Sequence, residues 1–287
     1  MLNRRNHSFK LMTVLLCASV ALSGCATTVK VHPEFNERHE KMKKLVLLPP
    51  DAKAYEITFN AGNKPLADLM ESMKTTSAEA VKASMEEKGY EVTPLALNQK
   101  DLDSNPALKD AFFELKKLYD QAIADMRANK KNSFTYDVGS SGNYFAEKHG
   151  ANAIVYVRES GSHLSSGETA AQVASVALGI ATVLLTGVAI SGPVQPQFSF
   201  MVEVAVIDAD LGDILWYNVK ASNDNFTNPA DKKTVTKFVN DTVSAFPDSK
   251  FKAPKAEEAK NKSGNGGSIG GKSPQTVTAA AQAPKVI

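Results

Sequence analysis

The alternation of apolar and polar residues predicts a series of strands and helices between residues 43 and 250. Short apolar runs bounded by turn-forming residues are typical of buried strands, and they occur at 44–48, 90–95 and 153–157. Two further runs, at 197–207 and 213–219, alternate on either side of a turn that contains Gly212. This arrangement predicts an antiparallel hairpin.

Three longer segments, at 66–88, 106–126 and 228–246, have apolar residues at helical spacing. An Asn-Pro pair opens each of the last two segments, and Asn at a cap with Pro in the first turn favours a helix start. The resulting order is strand, helix, strand, helix, strand, hairpin, helix. It predicts an α/β fold with a single mixed β-sheet flanked by helices, ending in an antiparallel hairpin and a C-terminal helix.

Residues 1–24 have the pattern of a bacterial export signal, with a basic start and an apolar run of about 12 residues that is too short to span a bilayer. This signal ends in Leu22, Ser23, Gly24 and Cys25. The sequence resembles the lipobox of bacterial lipoproteins. The resemblance implies that signal peptidase recognises Leu22, Ser23 and Gly24 and cuts before Cys25. It also implies that the Cys25 thiol receives diacylglycerol and that further acylation, such as palmitate, completes the anchor.

Ala26 follows the cysteine, where Asp in Gram-negative lipoproteins resembles an inner-membrane retention signal. The resemblance therefore implies a lipid anchor in the outer membrane, with the protein on its periplasmic face. We predict that residues 25–42 are the lipidated cysteine and a polar tether, that 43–250 form the periplasmic domain, and that 251–287 form a disordered tail.

Residues 266–273 in that tail match a phosphate-loop pattern. They lack a preceding strand and a following helix, so we expect no nucleotide.

An apolar insertion at 170–192 interrupts the predicted domain. Residues 169–202 carry no charge, and 170–190 are long enough to cross a bilayer. The insertion could be a helix buried in the domain or against another subunit, a membrane contact, or a loop or hairpin that inserts on assembly. If the insertion is a helix, it is apolar on all sides, and its surface must be covered. A homo-oligomer is therefore a reasonable expectation. The residues predicted to contact membrane or another subunit are Val176, Leu178, Ile180, Val183, Leu184, Leu185, Val188 and Ile190.

The composition gives little indication of catalytic or ligand-binding chemistry. Without the signal, 30 basic residues face 31 acidic ones, which gives no electrostatic basis for nucleic-acid binding. A single cysteine then remains, which excludes an internal disulfide and a cysteine metal site. The pattern also lacks catalytic serine and zinc motifs. We therefore expect no enzyme activity, no metal and no cofactor. The remaining candidates, interpreted as polar loop, cap or turn residues rather than ligands, are His32, His39, His149, His163, Asp208, Asp210 and Asp213.

Four segments occur in a characteristic order: KLVLLPP, GYEVTPL, GANAIVYVRESGS and VEVAVIDADLGDILWYN. Over residues 43–247 the chain resembles periplasmic lipoproteins with a fold like that of the curli-secretion lipoprotein and the TolB N-terminal domain. Several relatives are subunits of export or envelope-assembly machines, and some form rings. The resemblance implies a structural or accessory role with envelope proteins as partners. A monomeric lipoprotein that binds a ligand or partner, and a surface-exposed antigen, are the alternatives.

Overall fold

The computed structural model describes residues 27–58, 62–129, 131, 133–165, 197–224 and 226–252. The strands are β1 (Thr27–Val31), β2 (Lys44–Leu47), β3 (Asp51–Thr58), β4 (Gly62–Pro65), β5 (Glu91–Pro94), β6 (Ala153–Leu164), β7 (Phe198–Asp208) and β8 (Ile214–Asp224). The helices are α1 (Phe35–His39), α2 (Ala67–Glu87), α3 (Gln99–Ser104), α4 (Pro106–Arg127), α5 (Asn143–His149) and α6 (Lys232–Ser244), with a 3-10 turn at Gly139–Gly142 before α5.

The strands form one mixed sheet with the order β1-β8-β7-β6-β2-β5. The central strand β6 pairs in parallel with β2 along its first half and with β3 along its second half. On its other side β6 pairs antiparallel with β7, which forms the hairpin with β8. These observations confirm the predicted fold class, including the hairpin and the C-terminal helix α6.

Helices cover both faces of the sheet. Successive strand residues point to opposite faces, so Ala153, Val155 and Val157 of β6 join one core while Ile154 and Tyr156 join the other. Helices α2 and α6 complete the first core, and α4 and α5 complete the second. Burial on both faces explains why the middle strands are almost continuously apolar.

Helix starts follow the sequence only in part. The Asn105 side chain accepts a hydrogen bond from the Leu108 N–H at the start of α4, as its Asn-Pro pair predicts. The prediction that α6 begins at the second Asn-Pro pair was wrong, because the cap is Asp231, which accepts from the Lys233 and Thr234 N–H groups. Asn228 instead accepts from the Ala230 N–H, so the Asn-Pro pair forms the turn that precedes the helix.

The predicted tether at 25–42 is also corrected. Residues from Thr27 onward pack on the domain: β1 adds to the sheet beside β8, and Phe35 and Met42 are 6% and 3% exposed. The reason is that β8 offers an edge for pairing, and the few apolar side chains of this polar segment fill one end of the first core. The structure also forms β3 and β4 between β2 and α2, where the apolar pattern predicted no strand.

The apolar insertion and the tail lie outside the described residues, as does the phosphate-loop pattern at 266–273. No helix in the part of the chain that the structure describes combines the length and apolar character needed to span a membrane.

Candidate functional site

The predicted functional residues lie outside the described ranges: the lipobox residues Leu22, Ser23, Gly24 and Cys25, and the apolar residues Val176, Leu178, Ile180, Val183, Leu184, Leu185, Val188 and Ile190. Their neighbours in the chain are described. Those neighbours define where each predicted element joins the fold.

The chain approaches β1 from the end of the sheet at which β8 finishes. Strand β1 begins at Thr27, two residues after Cys25 in the sequence. Thr27 pairs antiparallel with Lys220, and β8 continues for four residues beyond that point to Asp224. The chain therefore enters β1 from this end of the sheet, which we call the upper end. It is the end where β6 and β8 finish and β7 begins.

Both flanks of the uncharged insertion lie at the same upper end. The Leu164 N–H donates to the Gln197 carbonyl at 3.1 Å, and Phe198 pairs with His163 on one side and Asp224 on the other. The next residue, Ser165, donates its N–H to the Ile57 carbonyl of β3. The described residues that flank these two elements thus both face the upper end of the sheet, although they are far apart in sequence.

A braced turn after β8 presents Phe226 at the upper end, where its side chain is 88% exposed. The Asp224 carboxylate accepts hydrogen bonds from the Phe226 N–H at 2.7 Å and the Thr227 N–H at 2.6 Å. Burial raises the pKa of Asp224, but bonds from Ser222, Thr227 and these two N–H groups outweigh it and leave the pKa below its usual value. The carboxylate therefore stays charged and holds the turn. Nothing in the sequence pattern had singled out Phe226.

The three aspartates of the hairpin lie at the opposite, lower end and act as turn residues. The Asp208 carboxylate accepts from the Asp210 and Leu211 N–H groups at 2.9 and 3.1 Å. Arg38 of α1 contacts Asp213 at 2.6 Å and Asp208 at 3.5 Å. These bonds fasten α1 to the hairpin. In the described residues, no group of three His, Cys, Asp or Glu side chains could hold a metal ion.

The four histidines do not converge. His32 and His39 belong to the N-terminal part of the domain, His149 ends α5, and His163 lies on β6 opposite Phe198. His39 contacts the Tyr90 hydroxyl, and burial lowers the pKa of His39.

A buried charge cluster lies beneath α4. Glu203 of β7 is fully buried and accepts hydrogen bonds from the hydroxyls of Tyr119 and Tyr217 at 2.9 and 2.8 Å. Arg127 of α4 donates to the same carboxylate at 3.2 Å, and Arg158, its register partner on β6, lies 3.6 Å away. Burial and the Glu203 charge raise the tyrosine pKa values well above normal. The cluster fixes α4 on the sheet. The sequence signal for this cluster was the presence of charged residues, Arg158 and Glu203, within strands that are otherwise apolar.

A second buried acid, Glu159, points to the opposite face. It is 2% exposed, and neither its carboxylate oxygens nor the buried Ser77 hydroxyl on α2 has a hydrogen-bond partner. Burial raises the pKa of Glu159 to about 7. The nearby Ser77 hydroxyl lowers this pKa and so opposes the effect of burial only in part. Glu159 is thus neutral in part of its population near neutral pH.

No protein-family model matches the sequence, and the comparison with curated proteins found no significant match. The similar solved structures include two PelC dodecamers from Paraburkholderia phytofirmans. The first, a single-residue variant, has a TM-score of 0.34 and 8% identity over 77% of this chain and 96% of that chain. The second has a TM-score of 0.32 and 10% identity over 77% and 95%. Likenesses this distant carry no argument about function.

Proposed function

We propose that this protein is a lipoprotein anchored through Cys25 to the outer membrane, with its α/β domain on the periplasmic face. Its role is that of a structural or accessory component of an export or envelope-assembly system, with envelope proteins and further copies of itself as partners. The lipobox residues Leu22, Ser23 and Gly24 support the anchor. We propose no enzymatic step and no cofactor.

The observation that supports the proposal is that both sequence elements connect to the described domain from the direction of its upper end. Strand β1 begins at Thr27, two residues after Cys25, and its direction shows that the preceding chain approaches from the upper end, where Leu164 and Gln197 flank the uncharged insertion. An anchor and a long uncharged segment at one end of a domain give that end a membrane-facing character. The opposite end is built from the charged turn around Asp213.

The two cysteines provide the test, because one lies in the signal and the other in the lipobox. The full chain is expressed in a Gram-negative host with an alkyne-tagged palmitate analogue. We expect label in the outer-membrane fraction for the native chain and for Cys17→Ala. Cys25→Ala should lose the label and remain as unprocessed precursor. Equal labelling of Cys25→Ala, or no label on the native chain, would rule out the anchor.

A monomeric lipoprotein that binds a ligand or partner is a second candidate. Its specific support is that both core faces of the described sheet are covered by the chain's own helices, α2 and α6 on one side and α4 and α5 on the other. Such a domain does not need another subunit to complete its core. The state of association distinguishes the two candidates, and its measurement is described in the Discussion.

A further inference from the structure

We infer that the Phe226 turn, defined as Asp224 and residues 226–231, is a membrane-surface contact that places the Phe226 ring in the headgroup region of the bilayer. This inference rests on the proposed lipid anchor. It adds a second point of attachment, from the protein surface itself, and so defines which end of the domain faces the lipid.

Chain lengths carry the argument. Two residues span about 7 Å at most, so an acylated Cys25 lies within that distance of Thr27. Strand β8 runs for four residues beyond the level of Thr27, which is about 13 Å at the rise of a strand. The Phe226 turn follows directly. When the strands stand upright on the membrane, the turn therefore extends past the furthest point that the anchored cysteine can reach.

The turn is built to present its aromatic residue. Asp224 holds both neighbouring N–H groups, the Asn228 N–H donates to the Phe226 carbonyl at 2.9 Å, and Pro229 is buried. At Gly161 of β6, an added Cβ would lie 2.8 Å from the Pro229 Cβ, so the turn packs closely on the sheet. A braced turn loses little conformational entropy when its side chain enters an interface. Aromatic rings favour the boundary between headgroups and acyl chains.

The charges beside the turn fit a phospholipid surface. Lys232 and Lys233 are exposed at the start of α6 and can approach anionic headgroups. The nearby acid Asp231 is engaged as the helix cap, and hydrogen bonds from Thr234 and Lys233 hold its pKa below its usual value. The occupant we infer is therefore a bilayer that contains anionic lipid.

The lower end provides matched controls. Leu211 is 60% exposed in the β7–β8 turn, and Asp208 holds that turn with the same pair of N–H bonds that Asp224 makes. Phe251, an aromatic residue that is 48% exposed, also lies at the lower end, since the Ser249 N–H donates to the Lys88 carbonyl just after α2. Leu211 thus matches Phe226 in its turn chemistry, and Phe251 matches it as an exposed aromatic residue. Both controls differ from Phe226 in their position on the sheet.

The test places one label at each site in the full, lipidated chain. Phe226→Cys, Leu211→Cys and Phe251→Cys are each labelled with the environment-sensitive fluorophore NBD, since lipidation consumes the thiol of Cys25. The proteins are reconstituted into vesicles of phosphatidylethanolamine and phosphatidylglycerol, with and without lipids that carry a nitroxide near the headgroup. Emission of the buried Trp216 reports whether each variant is folded.

We expect blue-shifted NBD emission and nitroxide quenching at position 226, and water-like, unquenched emission at 211 and 251. Water-like emission at 226, or equal quenching at all three positions, overturns the inference. A blue shift at 226 without quenching, which grows with protein concentration, also overturns it and identifies a protein contact. The mass of the N-terminal peptide reports on the anchor separately. Acylated Cys25 with a water-exposed residue 226 overturns the contact alone, and unacylated Cys25 overturns both proposals.

Discussion

At the scale of single residues, two buried glutamates in neighbouring strands have opposite energetic roles. Glu203 is surrounded by two tyrosine hydroxyls and an arginine, so its charge is compensated where it is buried. Glu159 faces the other core without a hydrogen-bond partner, and burial raises its pKa to about 7. A neutral acid is tolerated there, and the ionised form is not.

This difference predicts a pH dependence of stability. Glu159 has a raised pKa in the folded state, so the unfolded chain loses this proton first as pH rises from about 4.5 to about 7. Below this window Glu159 does not change the free energy of unfolding. Across the window its ionisation lowers the free energy of unfolding, and above the window the total loss is about 3 kcal/mol. Glu159→Gln should therefore gain stability over the native chain at pH 8 but not at pH 4. Urea unfolding at the two pH values measures the gain.

Glu203→Gln is the control, because it removes a compensated charge of similar burial. We expect a loss of about 3–5 kcal/mol at pH 8, since Arg127 then lies beside a neutral amide and the Tyr119 and Tyr217 hydroxyls lose their carboxylate acceptor. A constant stability difference between Glu159→Gln and the native chain across the window would contradict the assigned titration.

At the scale of elements, the β7–β8 hairpin depends on one glycine. Gly212 has a φ of +78°, and a Cβ there would lie 2.0 Å from the Gly139 carbonyl oxygen. The turn carbonyl of Gly212 also accepts from the Val138 N–H at 2.8 Å. Tight backbone contact, as well as backbone conformation, thus requires glycine at this position.

Gly212→Ala should accordingly destabilise the protein by more than about 3 kcal/mol, from left-handed strain and a backbone clash that no side-chain movement relieves. Gly150→Ala is the matched variant, because Gly150 has a φ of +62° with open space around its Cβ position. It should cost about 1 kcal/mol from strain alone. Thermal unfolding of both variants measures the difference, and equal losses would show that the contact with Gly139 contributes nothing.

The sequence predicts elements well where the pattern is local. The apolar spacing in 66–88 and 106–126 identifies α2 and α4, and alternation identifies the hairpin. Strand β1 escapes prediction because its partner β8 is distant in sequence and its own segment is mostly polar. Strand β3 escapes because Ala52 and Ala54, which are small, supply its buried positions. The second half of β6 is polar and becomes a strand because β3 and β7 pair with it.

The candidate site was predictable only as separate elements. The lipobox pattern and the insertion can be identified in the sequence, but the positions of their described neighbours Thr27, Leu164 and Gln197 on the sheet depend on strand register, which local pattern does not contain. Phe226 gave no signal, since a single aromatic residue in a turn is ordinary until its exposure and its position on the sheet are known.

At the scale of the whole molecule, the described domain buries its own core yet leaves a sheet edge uncovered. On β1, Val29 and Val31 are 42% and 43% exposed, and β8 is its partner in the described sheet. An open edge with exposed valines in the described sheet favours association with further copies.

Size-exclusion chromatography with light scattering tests this expectation on the mature chain with Cys25→Ser, so that acyl chains cannot cause association. We expect a discrete oligomer in solution and in mild detergent. The double variant Leu184→Glu and Leu185→Glu should dissociate it if the insertion lies between subunits. If the chain without these two substitutions is a monodisperse monomer, the result would instead favour the ligand-binding or partner-binding lipoprotein.

The pairing of the first strand with the last has a consequence for biogenesis. Thr27 pairs with Lys220, so β1 cannot join the sheet until the chain has been synthesised past residue 220. Contacts between such distant segments form late, because a long loop must close first. Under the proposed export, the sheet therefore stays incomplete during translocation, and β1 joins it only after β8 has followed.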